Sequence, residues 1–363
     1  MREIRSEVIG SMLRPPYLEQ ARLDATEGRL SPRAYKQLED RAVAEAIGVQ
    51  QSAGLDVITD GEQRRPSFTG HLIEAVDGFA REGGWAITFR NEDGQELVAD
   101  RPVVVERLRW KRSLCGEDWV YLRANAKSRA KVTLVSAQQA AAYYDPIKSG
   151  GAYATLDAYL ADVVDINRQE IDELVRMGCT YVQLDGPQYA ALLDPVLRDG
   201  YRRRGSDPDR LLDQCVDLDN AIIDGHPGVT FGLHICRGNA RSKFYASSDY
   251  EPIARIFQAS RVNRFLLEYD DERSGGFEPL RHVPEDRVVV LGLVTTKKPQ
   301  LEQPDQLRRS IEAAGRIVPL ERLALSPQCG FASAPGGNLL SAEDQRLKLE
   351  LVGRVARSVW GSS

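Results

Sequence analysis

The 363-residue chain has no uninterrupted apolar run long enough to span a bilayer. It has no excess of basic charge either: 48 Lys and Arg face 53 Asp and Glu, for a formal net charge of −5. No basic stripe points to nucleic acid, and no basic amphipathic face points to a membrane surface. Cysteine is scarce and odd in number, at Cys115, Cys179, Cys215, Cys236 and Cys329. That argues against a secreted disulfide framework and for a reducing compartment. No apolar secretion segment follows Met1-Arg-Glu-Ile-Arg5. The expected location is cytoplasmic. A glycine-rich phosphate loop is also missing after the first apolar run, Val8-Ile9-Gly10-Ser11.

What is present is a succession of short apolar runs separated by helical periodicity. Ser31-Pro32 caps a helix carrying Tyr35, Leu38, Ala42, Ala46 and Val49, which Gly54 ends. Leu55 to Ile58 is a strand closing in Asp60-Gly61-Glu62. Pro66 to Phe79 is read as helical through Leu72, Ile73, Val76 and Phe79. Trp85 to Phe89, Leu97 to Trp110 and Trp119 to Leu122 are β-rich, with a hairpin signal at Asp93-Gly94. These predict a β-ribbon around residues 85–122, a β-rich insertion spanning 81–128.

Further strands follow at Lys131–Ser136, Thr180–Asp185, Val229–Ile235, Arg264–Tyr269, Arg287–Val294 and Leu323–Cys329, most of them separated by helical segments. Strand–helix alternation implies a parallel sheet. Eight units imply a (β/α)8 TIM barrel whose site lies at the C-terminal ends of the strands. A doubly wound open sheet is the alternative, disfavoured by the missing phosphate loop. The expected organisation is a single catalytic domain over residues 1–363.

The strand ends carry chemistry. His234 and Cys236 stand two apart, so on a strand they share one face. Glu268 closes the next strand and Cys329 the last. Taken singly, these are a buried polar group, a surface acid and a core thiol. Together at one barrel mouth they supply N, S, O and S donors of the kinds zinc accepts. Two thiolates and a carboxylate make bound zinc a poor activator of water. Such zinc still holds a thiol as thiolate.

These residues resemble the catalytic barrel of cobalamin-independent methionine synthase, and still more its short, single-barrel relatives. The likeness runs from Ile9-Gly10-Ser11 to Cys329-Gly330 and rests on the ordered set His-x-Cys, Glu, Cys on matching strands. It implies zinc on His234, Cys236, Glu268 and Cys329. It implies contact of Ile9, Gly10 and Ser11 with the amino-acid end of homocysteine, and of Glu62 and Asp185 with its ammonium. The activity implied is methyl transfer to a thiol, most simply homocysteine to give methionine. The short-barrel group also includes relatives that join a zinc-bound thiol to an epoxide, and a degenerate barrel acting only as a binding protein is a third possibility.

The sequence departs from the family in two places. Asp185-Gly186-Pro187 stands where the family has Asp-Glu-Pro, and Thr295-Thr296-Lys297-Lys298 stands where it has Asp-x-His-Ser. Lys297 thus replaces the proposed proton donor, and lysine donates less readily near neutrality. The family's additional N-terminal half is not in this sequence. These features predict that a methylated folate is a poor donor and that a methylcorrinoid, with or without a carrier protein, is a better one. Cys179 and Cys215 read as core thiols. His71, His226 and His282 read as surface or loop residues. Arg64-Arg65 is divided evenly between anion recognition and a solvated loop pair, and Lys297-Lys298 shares that ambiguity.

Overall fold

The computed structural model describes residues 3–91, 93–203 and 207–361. Its centre is a six-stranded parallel sheet in the order Leu323–Pro327, Val288–Val294, Arg264–Glu268, Thr230–Ile235, Tyr181–Asp185, Val132–Val135. Arg129–Ala130, the start of the same strand as Val132–Val135, pairs in parallel with Val57–Ile58. The N-terminal segment closes the ring. Ser6 bridges Leu325 and Glu7 bridges Val57, both in parallel. This is the closed (β/α)8 barrel, with its first stave reduced to those two bridges.

Local sequence explains the outer helices. Thr155 accepts a hydrogen bond from the Ala158 N–H and opens the helix Leu156–Arg176. That helix buries Tyr159, Leu160, Val163, Ile171 and Leu174 at helical spacing. Gly178, at φ +86°, ends the run in a conformation that favours glycine. The last helix, Ala342–Trp360, starts from a capping box between Ser341 and Asp344. No helix among the described residues is long and apolar enough to cross a membrane.

The region after the second stave differs from expectation. Only Gly70–Ala75 is helical; Val76–Ala80 is a strand paired antiparallel with Val103–Trp110. Pairing with a distant strand overrides the helical period there, and Gly78, at φ +114°, sits where the register shifts. Trp119–Leu122 is not a strand but part of the helix Gly116–Asn125. The clue is three-residue spacing: Trp119 and Leu122 are buried while Val120 between them is exposed.

Ile87–Arg90 and Glu96–Ala99 form the expected hairpin. The hairpin bends back over the barrel mouth. Arg90 and Phe244 exchange backbone hydrogen bonds of 2.7 and 2.8 Å, and the rings of Phe89 and Tyr245 meet edge to face at 5.8 Å. The insertion is therefore a roof on the site.

Candidate functional site

A cavity of about 320 Å³ opens at the C-terminal ends of the strands. Its floor holds His234, Cys236 and Cys329, and its rim holds Ile9–Ser11, Glu62 and Asp185. Ile87, Phe89 and Leu97 of the roofing hairpin line the opposite side.

The potential ligand atoms of His234, Cys236, Glu268 and Cys329 all lie within 4.8 Å of one another. The two sulfurs are 3.5 Å apart. Tetrahedral zinc with Zn–S near 2.3 Å would place them ~3.8 Å apart. His234 Nδ1 faces the Leu266 carbonyl at 3.2 Å. That contact makes Nδ1 a donor in either protonation state, so Nε2 is the nitrogen a metal would take, in exchange for its proton. Nε2 and both carboxylate oxygens of Glu268 are buried without a hydrogen-bond partner among the described residues. Orphaned buried polar atoms are costly. A divalent cation would satisfy all of them at once, so the donor set fits a metal.

The electrostatics agree. Burial pushes the Glu268 carboxyl up to about 7, with Cys329 and Asp270 adding to it against Lys297 and His234. The hydrogen bond from Cys236 is the chief influence holding the Cys329 thiol well below its usual value. His234 is raised to about 9: burial opposes its charge, but Cys329, Asp185 and Glu268 outweigh it. The cluster gathers a buried carboxyl and two thiols, with the charges of His234 and Lys297 favouring the anionic forms of Glu268 and Cys329.

The rim is equally tight. A Cβ on Gly10 would come within 2.4 Å of Glu62 Oε1, so any larger residue would displace that carboxylate. Glu62 Oε1 accepts from Thr133 Oγ1 at 2.9 Å. Asp185 Oδ1 accepts from Gln183 Nε2 at 2.7 Å, and burial lifts Asp185 to about 7 with Glu62 contributing in the same direction. Two buried carboxylates thus face one cavity, an arrangement suited to an ammonium group.

Lys297 lies apart from this group. It does not line the cavity but a neighbouring chamber with Asp270, Asp271 and Arg273. Its Nζ is buried without a hydrogen-bond partner among the described residues. It lies on the Glu268 side of the cluster, and Glu268 is the foremost of the charges that keep it protonated against burial. Arg64 and Arg65 are neither solvated nor in the cavity wall; both side chains are buried and paired internally. His71 is also a correction. It is buried, with Cys115 Sγ at 2.7 Å from Nδ1 and Asp118 Oδ2 at 3.1 Å from Nε2. The ligand atoms of this trio also lie within 4.8 Å of one another, in a second buried group outside the cavity wall. Cys179 and Cys215 are buried core thiols.

Sequence reasoning missed the frame that holds the Cys329 loop. Asn338 Nδ2 donates to Asn239 Oδ1 and to the Thr296 carbonyl, both at 2.8 Å. Thr296 Oγ1 donates to the Gly330 carbonyl at 3.0 Å. Arg14 Nε donates to the Arg65 carbonyl at 2.7 Å, and its Nη1 to the Ala332 carbonyl at 2.9 Å. The Gly-Asn turn after Cys236 was the one sequence signal available for this frame.

Comparison with known proteins agrees with this fold. The family model described as Cobalamin-independent synthase, Catalytic domain, matches residues 5–343. The uncharacterized protein YxjH of Bacillus subtilis (strain 168) is 33% identical over 98% of this chain and 94% of its own length. A methionine synthase of Pyrococcus abyssi is 24% identical over 90% of this chain and 86% of its own. The crystal structure of a putative vitamin-B12 independent methionine synthase from Listeria monocytogenes superposes with a TM-score of 0.74 at 25% identity, covering 99% of this chain and 100% of that one. The chain belongs to the cobalamin-independent methionine synthase family, through its catalytic domain, and is a methyltransferase of that family.

Proposed function

We propose that this protein is a zinc-dependent S-methyltransferase that methylates homocysteine to methionine, acting as one catalytic domain with residues 81–128 inserted. The observation that carries the reading is the set of four converging donors, two of them with orphaned polar atoms; His234, Cys236 and Cys329 line a roofed cavity, and Glu268 meets them from outside its wall. Zinc held by His234, Cys236, Glu268 and Cys329 would supply a thiol activated as thiolate.

The protein's own residues do the remaining work. Glu62 and Asp185 accept the substrate ammonium, which neutralises two carboxylates that burial otherwise penalises. Ile9, Gly10 and Ser11 shape the amino-acid end of the cavity. The apolar hairpin wall keeps water from the reacting carbon. In place of the corrinoid and carrier protein expected from the sequence, the donor in this reading is a methylated folate, the donor named for a relative 23% identical over 89% of this chain. The reading includes a cytoplasmic location.

The test is to purify the protein without chelators, measure bound zinc, and assay methionine formation from homocysteine with methyltetrahydrofolate triglutamate. Stoichiometric zinc with turnover supports the reading. Full occupancy with alkylation of other thiols only would move the protein to the epoxide-type relatives, and absence of bound zinc would leave a non-catalytic barrel.

A further inference from the structure

Glu62 has a backbone that side chains rarely adopt. Its φ is +54°, one of few non-glycine residues in that region among those described. Strain of this kind persists only where the surroundings impose it. The surroundings here are two buried arginines. Arg14 Nη2 donates to the Glu62 carbonyl at 3.2 Å and Arg14 Nε to the Arg65 carbonyl at 2.7 Å, fixing both ends of the turn. Arg65 then folds back from i+3, its Nη1 lying 3.6 Å from Glu62 Oε1. Thr133 Oγ1 reaches the same oxygen.

The two carboxylate oxygens of Glu62 are therefore inequivalent. Oε1 is held by Thr133 and Arg65. Oε2 is buried without a partner among the described residues, on a side chain that lines the cavity. Arg65 itself is 1% exposed and absent from the cavity wall. It cannot meet the substrate. Against the penalty of burial, Glu62, Asp60 and Asp118 keep its guanidinium charged.

We propose that Arg65 is a positioning residue: it clamps one oxygen of Glu62 so that the other is presented to the amino group of the thiol substrate. This rests on the reading that the substrate is an amino-acid thiol bound through Glu62. Lysine, a point charge on a flexible stem, would keep the ion pair but fix the carboxylate less firmly than arginine, and better than an apolar residue.

The experiment compares homocysteine with 4-mercaptobutyrate, the same chain without the amine. Calorimetric Kd values are measured on zinc-loaded protein, with zinc content checked for each variant. Wild type should prefer homocysteine by about 100-fold, a difference equivalent to a well-made charged contact. Arg65→Met should weaken homocysteine about tenfold and leave 4-mercaptobutyrate unchanged, and Arg65→Lys should fall between. Glu62→Gln should lose the preference too, and adding Arg65→Met to it should do nothing more, since the two act as a unit. Should Arg65→Met not fold, Thr133→Val, which removes the other clamp on Oε1, must show the same selective loss in a smaller degree. Equal weakening of both thiols, or an undiminished preference in Arg65→Met, would overturn the proposal while leaving the amino-thiol reading intact. A wild type that binds both thiols alike would remove both.

Discussion

The two ends of the barrel bury charge in opposite ways. At the N-terminal end, Glu7 is fully buried and accepts from Lys131 Nζ at 2.5 Å, Tyr181 Oη at 2.8 Å and Arg264 Nη2 at 2.8 Å. At the C-terminal end, Glu268 is as deeply buried and neither of its oxygens has a hydrogen-bond partner among the described residues. Burial is the largest influence on both and pushes both upward. At Glu7 the charges of Lys131 and Arg264 overcome it and hold the carboxyl below its usual value. At Glu268 the opposing charges do not suffice, and the carboxyl rises to about 7. A completed network belongs to the scaffold. An incomplete one marks the place where something else must bind.

The strongest way to break the comparison is at the open end. Cys329→Ser or Cys236→Ser should remove nearly all bound zinc and all methyl transfer while the far-ultraviolet dichroism stays native. A barrel with this large a core does not depend on one ligand at its mouth. Cys179→Ser should leave the zinc content unchanged. Loss of zinc from Cys179→Ser with retention in Cys329→Ser would mean that the wrong sulfurs have been chosen.

At the closed end the expected effect is on stability. Lys131→Met removes one partner of a buried carboxylate and should cost about 3–5 kcal/mol in urea unfolding. Zinc stoichiometry in the folded fraction should not move. If the loss were below 1 kcal/mol, Arg264 and Tyr181 would satisfy Glu7 alone, and the two ends would differ less than their hydrogen bonds indicate.

The same network predicts a pH dependence. The folded-state value of Glu7 lies below its ordinary 4.5. The unfolded chain therefore binds this proton first as pH falls. The contribution is fully present above pH 4.5 and is lost as pH drops through the folded-state value. Unfolding free energy measured from pH 6 downward should fall below 4.5, and Glu7→Gln should flatten that slope. An unchanged slope in Glu7→Gln would assign the acid sensitivity to other carboxylates.

How much of this was legible in the sequence follows from what each part is made of. Strands such as Thr230–Ile235 and Arg264–Glu268 announce themselves as apolar runs because they are buried on both faces, and their polar terminators mark the mouth. His234, Cys236, Glu268 and Cys329 could therefore be found, since barrel closure brings strand ends together whatever lies between them. Arg14 and Arg65 could not. Arg14 reaches carbonyls 51 and 318 positions away, and a side chain aimed at distant backbone leaves no periodic trace. Within the insertion the hairpin Ile87–Arg90 with Glu96–Ala99 was legible, while Trp119–Leu122 turned out helical. The hairpin's docking on Phe244 depends on tertiary contact that no local propensity encodes, and the same is true of the strand that displaced the expected helix at Val76.

The smallest expected effect concerns Lys297, which the family resemblance implies as the counterpart of the proton donor. The structure sets it in a chamber outside the cavity wall, with Glu268 the foremost of the charges acting on it. Its strongest link to the cluster from there is the charge of Glu268. Lys297→Met should therefore lower kcat by about tenfold, roughly 1.4 kcal/mol of barrier, and by the same factor for every donor. The comparison is between methyltetrahydrofolate triglutamate, whose leaving amine must gain a proton, and methylcobalamin, whose leaving group needs none. Equal losses with both donors assign Lys297 to the electrostatic support of Glu268. Collapse of the folate reaction with the corrinoid reaction untouched would make Lys297 the proton donor after all, and would require its chamber and the cavity to join when substrate binds.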